Sequence, residues 1–164
     1  MGLLVPCGQC MNCRLQKREE WVLRLKHEFD YWEQAIFVTL TYSDEHLPES
    51  ESLVKADLQK FFKRVRKNLG NLETPKSICY FGVGEYGEEK GRPHYHIIIY
   101  GMDFLNENDR LIIKKSWELC DWEMLGDKPF GSVCDTSIRY VVSYLEKSIK
   151  GKWEVYAYDG IESP

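Results

Sequence analysis

The chain of 164 residues has no apolar run of membrane length, so sequence alone offers no membrane-spanning helix and no membrane partner is expected. Its N-terminus lacks the apolar stretch of a secretory leader, which makes a cytoplasmic protein the default reading. Proline is scarce at six residues, and neither an internal repeat nor a low-complexity linker breaks the chain. That pattern suits one domain spanning 1–164 with a real core, and leaves too little chain for two. An excess of positive charge is also missing. The formal net charge is −4, which argues against indiscriminate nucleic-acid binding. What remains is an ordinary globular composition, 43% hydrophobic, 29% charged and 13% aromatic. Six cysteines are present, and in a reducing compartment they read as thiols or metal ligands before disulfides.

Net charge conceals distribution. Lys60, Lys63, Arg64, Arg66 and Lys67 place five cations in eight residues, and Lys147, Lys150 and Lys152 form a second group. Acidic residues gather between Asp44 and Glu51 and between Glu85 and Glu89. A basic stripe on an acidic body can track a phosphate backbone. A solvated helix face accounts for either cluster equally well.

The periodicity predicts a long amphipathic helix from Cys13 to about Gln34, with Trp21, Leu25, Glu28, Phe29 and Trp32 on one side. Ala35–Tyr42 reads as a strand by composition, followed by an acidic, proline-containing loop to Ser52. Lys55–Leu69 fits a second helix with Leu58, Phe61, Phe62 and Val65 inward and Gly70-Asn71 closing it. Ser77–Gly84 and His94–Tyr100 read as an antiparallel hairpin across a glycine-rich charged turn. Asn106–Cys120 looks helical and Gly131–Cys134 forms a short strand. Asp135–Lys150 gives the last helix, with Asp135 as N-cap and Gly151 as stop. The tail from Trp153 starts like a strand and trails off, as expected if the natural protein continues past residue 164. Strands mixed with helices and at least one hairpin give an α+β architecture around a largely antiparallel sheet.

Two of the four histidines, His94 and His96, head the apolar run Ile97-Ile98-Ile99-Tyr100. Side chains two apart on a strand share a face, so both imidazoles can reach one metal ion. Closure of the hairpin brings Glu85 beside them across the ladder. Two imidazoles and a carboxylate with open positions suit Mg²⁺ or Mn²⁺, and zinc accepts the same donors. The plainer alternative is a pair of histidines in an ordinary strand and a solvated Glu85 near Glu88 and Glu89. In the last helix, Tyr140, Tyr144 and Lys147 fall on one side, and Ile138, Val141, Val142, Leu145 and Ile149 on the other. The aliphatic stripe is complete without the tyrosines, which therefore form a separate polar-aromatic face. A phenol there can act as a nucleophile toward a metal-held phosphate, with an ammonium nearby to favour the phenolate. Thr39 and Thr41 share a face of the strand 35–42, either lining the site or serving the sheet.

Taken in order, FVTLTY, Glu85 with His94-Tyr95-His96, and Tyr140-x-x-x-Tyr144-x-x-Lys147 resemble the three motifs of HUH endonucleases, the rolling-circle replication initiators and relaxases. The paired tyrosines resemble the two-tyrosine initiator class. Pro6-Cys7-Gly8-Gln9-Cys10-Met11-Asn12-Cys13-Arg14, Gly84-Glu85-Tyr86-Gly87 and Gly91-Arg92-Pro93-His94-Tyr95-His96 resemble the initiators of microviruses, in particular the gokushovirus branch. The resemblance spans about Cys7 to Lys150. It implies a central antiparallel sheet of about five strands flanked by helices, the tyrosine helix lying across the histidines. It further implies metal-dependent nicking and rejoining of single-stranded origin DNA through a 5′-phosphotyrosine. Glu85, His94 and His96 would be the ligands of Mn²⁺ or Mg²⁺, Tyr140 and Tyr144 the nucleophiles, and Lys147 the charge-stabilising partner. Ser143 stands where Tyr140 would have its lysine, which leaves the two tyrosines unequal. The implied partners are an origin strand and the host replication machinery, in a bacterial host cytoplasm if the chain is of phage origin.

Cys7, Cys10 and Cys13 recur every three residues just before or within the first turn of the first helix. They offer three zinc ligands but no second Cys-x-x-Cys follows nearby. A fourth ligand would come through the fold from Cys79, Cys120, Cys134 or His27. Reduced thiols packed against the sheet are the other reading. Two rivals to the initiator remain open at this level. One is a relaxase or single-strand transposase with the same chemistry. The other is a non-catalytic nucleic-acid-binding module with structural zinc and base-stacking tyrosines.

Overall fold

The computed structural model describes residues 5–87, 91–148 and 155–159, with side chains for all of these except 145–148 and 155–159. Five strands form one antiparallel sheet: β1 (Ala35–Thr41), β2 (Cys79–Tyr86), β3 (Pro93–Tyr100), β4 (Phe130–Ser132) and β5 (Val155–Asp159). Their spatial order is β4-β1-β3-β2-β5, so β3, which carries both histidines, is the central strand. A β-branched run such as Ile97-Ile98-Ile99 suits that place because both of its faces are covered. The expected α+β architecture with a central antiparallel sheet is what the chain adopts.

Alternation along the strands sorts side chains into two cores. Ile36, Val38 and Leu40 of β1 join Tyr95, Ile97 and Ile99 of β3 on one face. The helices α2 (Lys55–Gly70) and α3 (Glu107–Ser116) cover that face with Leu58, Phe61, Phe62, Val65, Ile112 and Ile113. On the other face Phe81, Val83, Ile98 and Tyr100 meet Trp21, Val22 and Leu25 of α1 (Met11–Trp32). Ile138, Val141 and Val142 of α5 (Asp135–Ser148) pack there too. A short helix, α4 (Trp122–Leu125), precedes β4.

Several ties hold α1 to the sheet and α5 to α1. The Tyr100 hydroxyl donates to the Leu25 carbonyl at 2.8 Å. Arg139 of α5 reaches Glu19 of α1 at 3.1 Å and Asp135 at 2.9 Å, and Lys26 pairs with Asp135. These exposed ion pairs contribute little singly, and the buried apolar surface dominates. At the end of β3, Gly101 takes φ +85, and a Cβ there would stand 2.5 Å from the Ser77 carbonyl oxygen. Only glycine fits both constraints.

Two expectations change in detail, and a third is not tested. The helix predicted to reach Cys120 stops at Ser116, where Trp117 leaves helical geometry and buries its ring in the α2 face. Its start is capped by Asn106, whose side chain accepts from the Asn108 and Asp109 N–H groups. Asp135 does not cap α5. It lies within the first helical turn, its carboxylate taken by Lys26 and Arg139, while the Ser137 hydroxyl accepts from the Cys134 N–H. The proposed stop at Gly151 falls outside the described residues.

Candidate active site

The face of the sheet beneath α5 gathers the predicted ligands. In the register of β2 and β3, Glu85 pairs with His94 and Val83 with His96; from β1, Thr39 pairs with His96. Period-two alternation then sends the Glu85, His94, His96 and Thr39 side chains to one face. Glu85 and His96 are buried and His94 is half-buried.

The closing turn fixes the orientation of His94. Gly87 N–H donates to the Arg92 carbonyl at 2.9 Å, and Gly91, at φ +62, donates to the Gly87 carbonyl at 2.8 Å. The Arg92 carbonyl also lies 3.0 Å from His94 Nδ1. A carbonyl can only accept, so Nδ1 carries the proton and Nε2 of the neutral ring presents its lone pair. That lone pair faces Glu85 Oε1 at 2.9 Å. Two acceptors so close require a positive charge between them, a second imidazole proton or a metal ion. His96 Nε2 stands 3.6 Å from Glu85 Oε2, and the ligand atoms of the three residues all lie within 4.8 Å of one another. Ligands at right angles on a Mg²⁺-like ion with bonds of about 2.1 Å stand about 3.0 Å apart. The donor set and its spacing therefore fit a small divalent cation.

The tyrosines close over this cluster. Tyr144 stacks on His96 with ring centroids 4.7 Å apart and planes 8° apart; Tyr140 meets the same imidazole edge-on at 5.4 Å. Their hydroxyls lie 2.5 Å apart, Tyr144 donating to Tyr140. Helical i, i+4 spacing brings them together. They differ in access, Tyr140 being 47% exposed and Tyr144 5%. The separate face expected for both thus holds only for Tyr140, because Tyr144 joins the apolar core as it covers His96. Lys147 belongs to α5, and its side chain lies outside the described residues.

Two further residues complete the site. Thr39 Oγ1 is 3.0 Å from His96 Nδ1, so Thr39 stands against the cluster while also serving the sheet. Phe37, two residues earlier on the same face, stacks on His96 at 6.0 Å and meets Tyr140 at 6.3 Å. Sequence reasoning missed Phe37, although its alternation with Thr39 was the available signal.

The remaining candidates lie elsewhere. Lys60, Lys63, Arg66 and Lys67 are exposed on α2, across the sheet from the tyrosines. Lys60 pairs with Asp57, Arg64 with Glu118, and Arg66 sits over Tyr80. The solvated-face reading describes this cluster. Lys150 and Lys152 fall outside the described residues. Cys7 and Cys10 are exposed and Cys13 partly so, which corrects the reading that they pack against the sheet. None of Cys79, Cys120, Cys134 and His27 joins them in a ligand group among the described residues.

Fold and site together define a class: an antiparallel sheet whose β2–β3 hairpin brings Glu85, His94 and His96 together, roofed by a helix with two tyrosines. The family model for replication-associated protein ORF2/G2P matches residues 35–149, and the chain belongs to that family, in a microvirus-like form. It is 33% identical over 153 residues to replication-associated protein VP4 of Bdellovibrio phage phiMH2K, covering 88% of this chain and 48% of the phage protein. Replication-associated protein ORF2 of Spiroplasma virus 4 is 32% identical over 164 residues, with the same coverages of 88% and 48%. Replication-associated protein ORF4 of Chlamydia phage 1 is 27% identical over 154 residues, covering 87% and 38%. The chain thus spans half or less of the length of these relatives. No solved structure matches it. Among the described residues, no helix is long and apolar enough to cross a membrane.

Proposed function

We propose that the chain carries the nicking and strand-transfer centre of a rolling-circle replication initiator of the HUH type, acting on single-stranded origin DNA. The observation that carries this reading is the contact of both tyrosine rings with His96, itself part of the Glu85-His94-His96 ligand set. A divalent cation held there supplies Lewis-acid polarisation of a phosphate oxygen. The chain's own residues do the rest. Arg92 and Thr39 fix the two imidazoles, and the Phe37 and Tyr144 rings both stack with His96 as apolar walls. Tyr140, the exposed phenol, attacks phosphorus first. A Tyr140 Oη–P bond forms, the P–O3′ bond breaks, and the phenolic proton ends on the released 3′-hydroxyl. Reversal by a 3′-hydroxyl regenerates the tyrosine and rejoins the strand. Tyr144, whose hydroxyl donates to Tyr140, orients that oxygen in the first step and serves as the second nucleophile once rearranged.

The test uses 3′-labelled single-stranded oligonucleotides tiled across the genome that encodes the chain, incubated with Mn²⁺. The expected product is labelled protein that survives SDS and is absent from Tyr140→Phe with Tyr144→Phe. Tight binding to these strands with no such adduct would favour the non-catalytic binding module.

A further inference from the structure

Away from the tyrosine site, three thiols converge that no step above uses. Cys10 Sγ lies 3.4 Å from Cys13 Sγ, and Cys7 Sγ lies 3.9 Å from Cys13 Sγ. All three sulfurs fall within 4.8 Å of one another. They do so at the surface, where apolar packing gives thiols no reason to cluster. The local backbone is shaped around them. Gly8 turns the chain at φ +72, and the Cys10 N–H donates to Cys7 Sγ at 3.3 Å. The Arg14 guanidinium donates to the Gln9 carbonyl at 2.7 Å. Cys13 sits in the first turn of α1, so its side chain points back along the helix toward that loop.

The spacing discriminates among metal centres. Tetrahedral zinc with Zn–S bonds of about 2.3 Å places its sulfurs about 3.8 Å apart, close to the separations here. A [4Fe–4S] cluster binds each thiolate to a different iron and holds the sulfurs much further apart, and a [2Fe–2S] cluster takes four cysteines where three converge here. Hard cations such as Mg²⁺ and Ca²⁺ take oxygen donors and not thiolates. We propose that Cys7, Cys10 and Cys13 form a second, mononuclear zinc site, distinct from the Glu85-His94-His96 set. No fourth His, Cys, Asp or Glu among the described residues joins the group. Bound zinc pins the loop 7–10 to α1, whose Glu19 and Lys26 hold α5 through Arg139 and Asp135. The site thus braces the helix against which the tyrosine helix rests.

Cobalt reports on this site specifically, because only thiolate ligation gives a sulfur-to-metal charge-transfer band. Metal-stripped full chain titrated with Co²⁺ should develop that band to one equivalent and lose it when Zn²⁺ is added. His94→Ala with His96→Ala should keep the band, since that ligand set holds no sulfur, and Cys10→Ser with Cys13→Ser should abolish it. A band that survives the serine pair, or none at any cobalt concentration, overturns the proposal. The unmutated chain gives an arm independent of folding: with Zn²⁺ present, alkylation of Cys7, Cys10 and Cys13 mapped by mass spectrometry should slow at least tenfold relative to chelator. Equal labelling with and without zinc overturns it.

Discussion

On the α2 side of the sheet the hydroxyls of Tyr42 and Tyr95 stand 3.1 Å apart; on the α5 side those of Tyr140 and Tyr144 stand 2.5 Å apart. Residue type and pairing are the same, but the surroundings are not. Tyr95 accepts from the Val54 N–H at 2.7 Å and donates to the Val54 carbonyl at 3.1 Å. Tyr42 donates to Asp57. Both rings are buried, and desolvation pushes both phenols above their ordinary range. That pair is a structural strut, its oxygens taken by the Val54 backbone and the Asp57 carboxylate and its phenolate disfavoured. The α5 pair has one ring open to solvent and an imidazole against both. Neighbouring residues of β3 divide the roles: Tyr95 goes to the strut, while His94 and His96 go to the site.

The largest expected effect tests that division. Tyr140→Phe with Tyr144→Phe should lower covalent adduct formation by about 10⁴-fold or more, the scale of losing a nucleophile, and leave the melting transition nearly unchanged. His94→Ala with His96→Ala should likewise bring nicking below detection while single-stranded DNA affinity in a gel shift stays within a few-fold. Parallel loss of binding would show that the histidines hold the strand and not the reaction.

Smaller effects sharpen the contrast. Thr39→Val removes the oxygen beside His96 Nδ1 and should weaken Mn²⁺ binding by about 10- to 100-fold, measured by calorimetry. Tyr95→Phe strips the half-buried Val54 N–H of its acceptor and should cost about 1–2 kcal/mol in denaturant unfolding, with adduct formation unaffected in the folded protein. The smallest concerns thiol chemistry in metal-free chain. N–H bonds from Gln9 and Cys10 draw the Cys7 thiol down to about 7, while burial pushes Cys120 up to about 11. A lowered thiol pKa means more thiolate, the reactive form, so at pH 7.5 iodoacetamide should label Cys7 well before Cys120.

How much of this the sequence disclosed follows from range. Strands and helices with strong local periodicity, such as Ala35–Thr41 and Lys55–Gly70, were legible within a residue or two. The Glu85-His94-His96 set was legible because one hairpin carries it and hairpin register follows from chain distance. Tyr144 was misjudged because helix periodicity gives the relative directions of side chains on α5 but not the tilt at which α5 meets the sheet. Phe37 and Thr39 depend on β1 lying beside β3, a pairing across 57 residues between Thr39 and His96. No local pattern states that neighbour relation. The basic run on α2 stayed undecided for the same reason: its charges were plain, but the face they occupy is set by the whole sheet.

The most direct measurement is the identity of the residue bound to DNA after cleavage. Digestion of the adduct and peptide mass spectrometry should find a 5′-phosphodeoxynucleotide on the peptide containing Tyr140, moving to Tyr144 in Tyr140→Phe. Cleaved DNA with free 5′-phosphate and unmodified tyrosines in every sample would mean that water is the nucleophile, and would contradict the account.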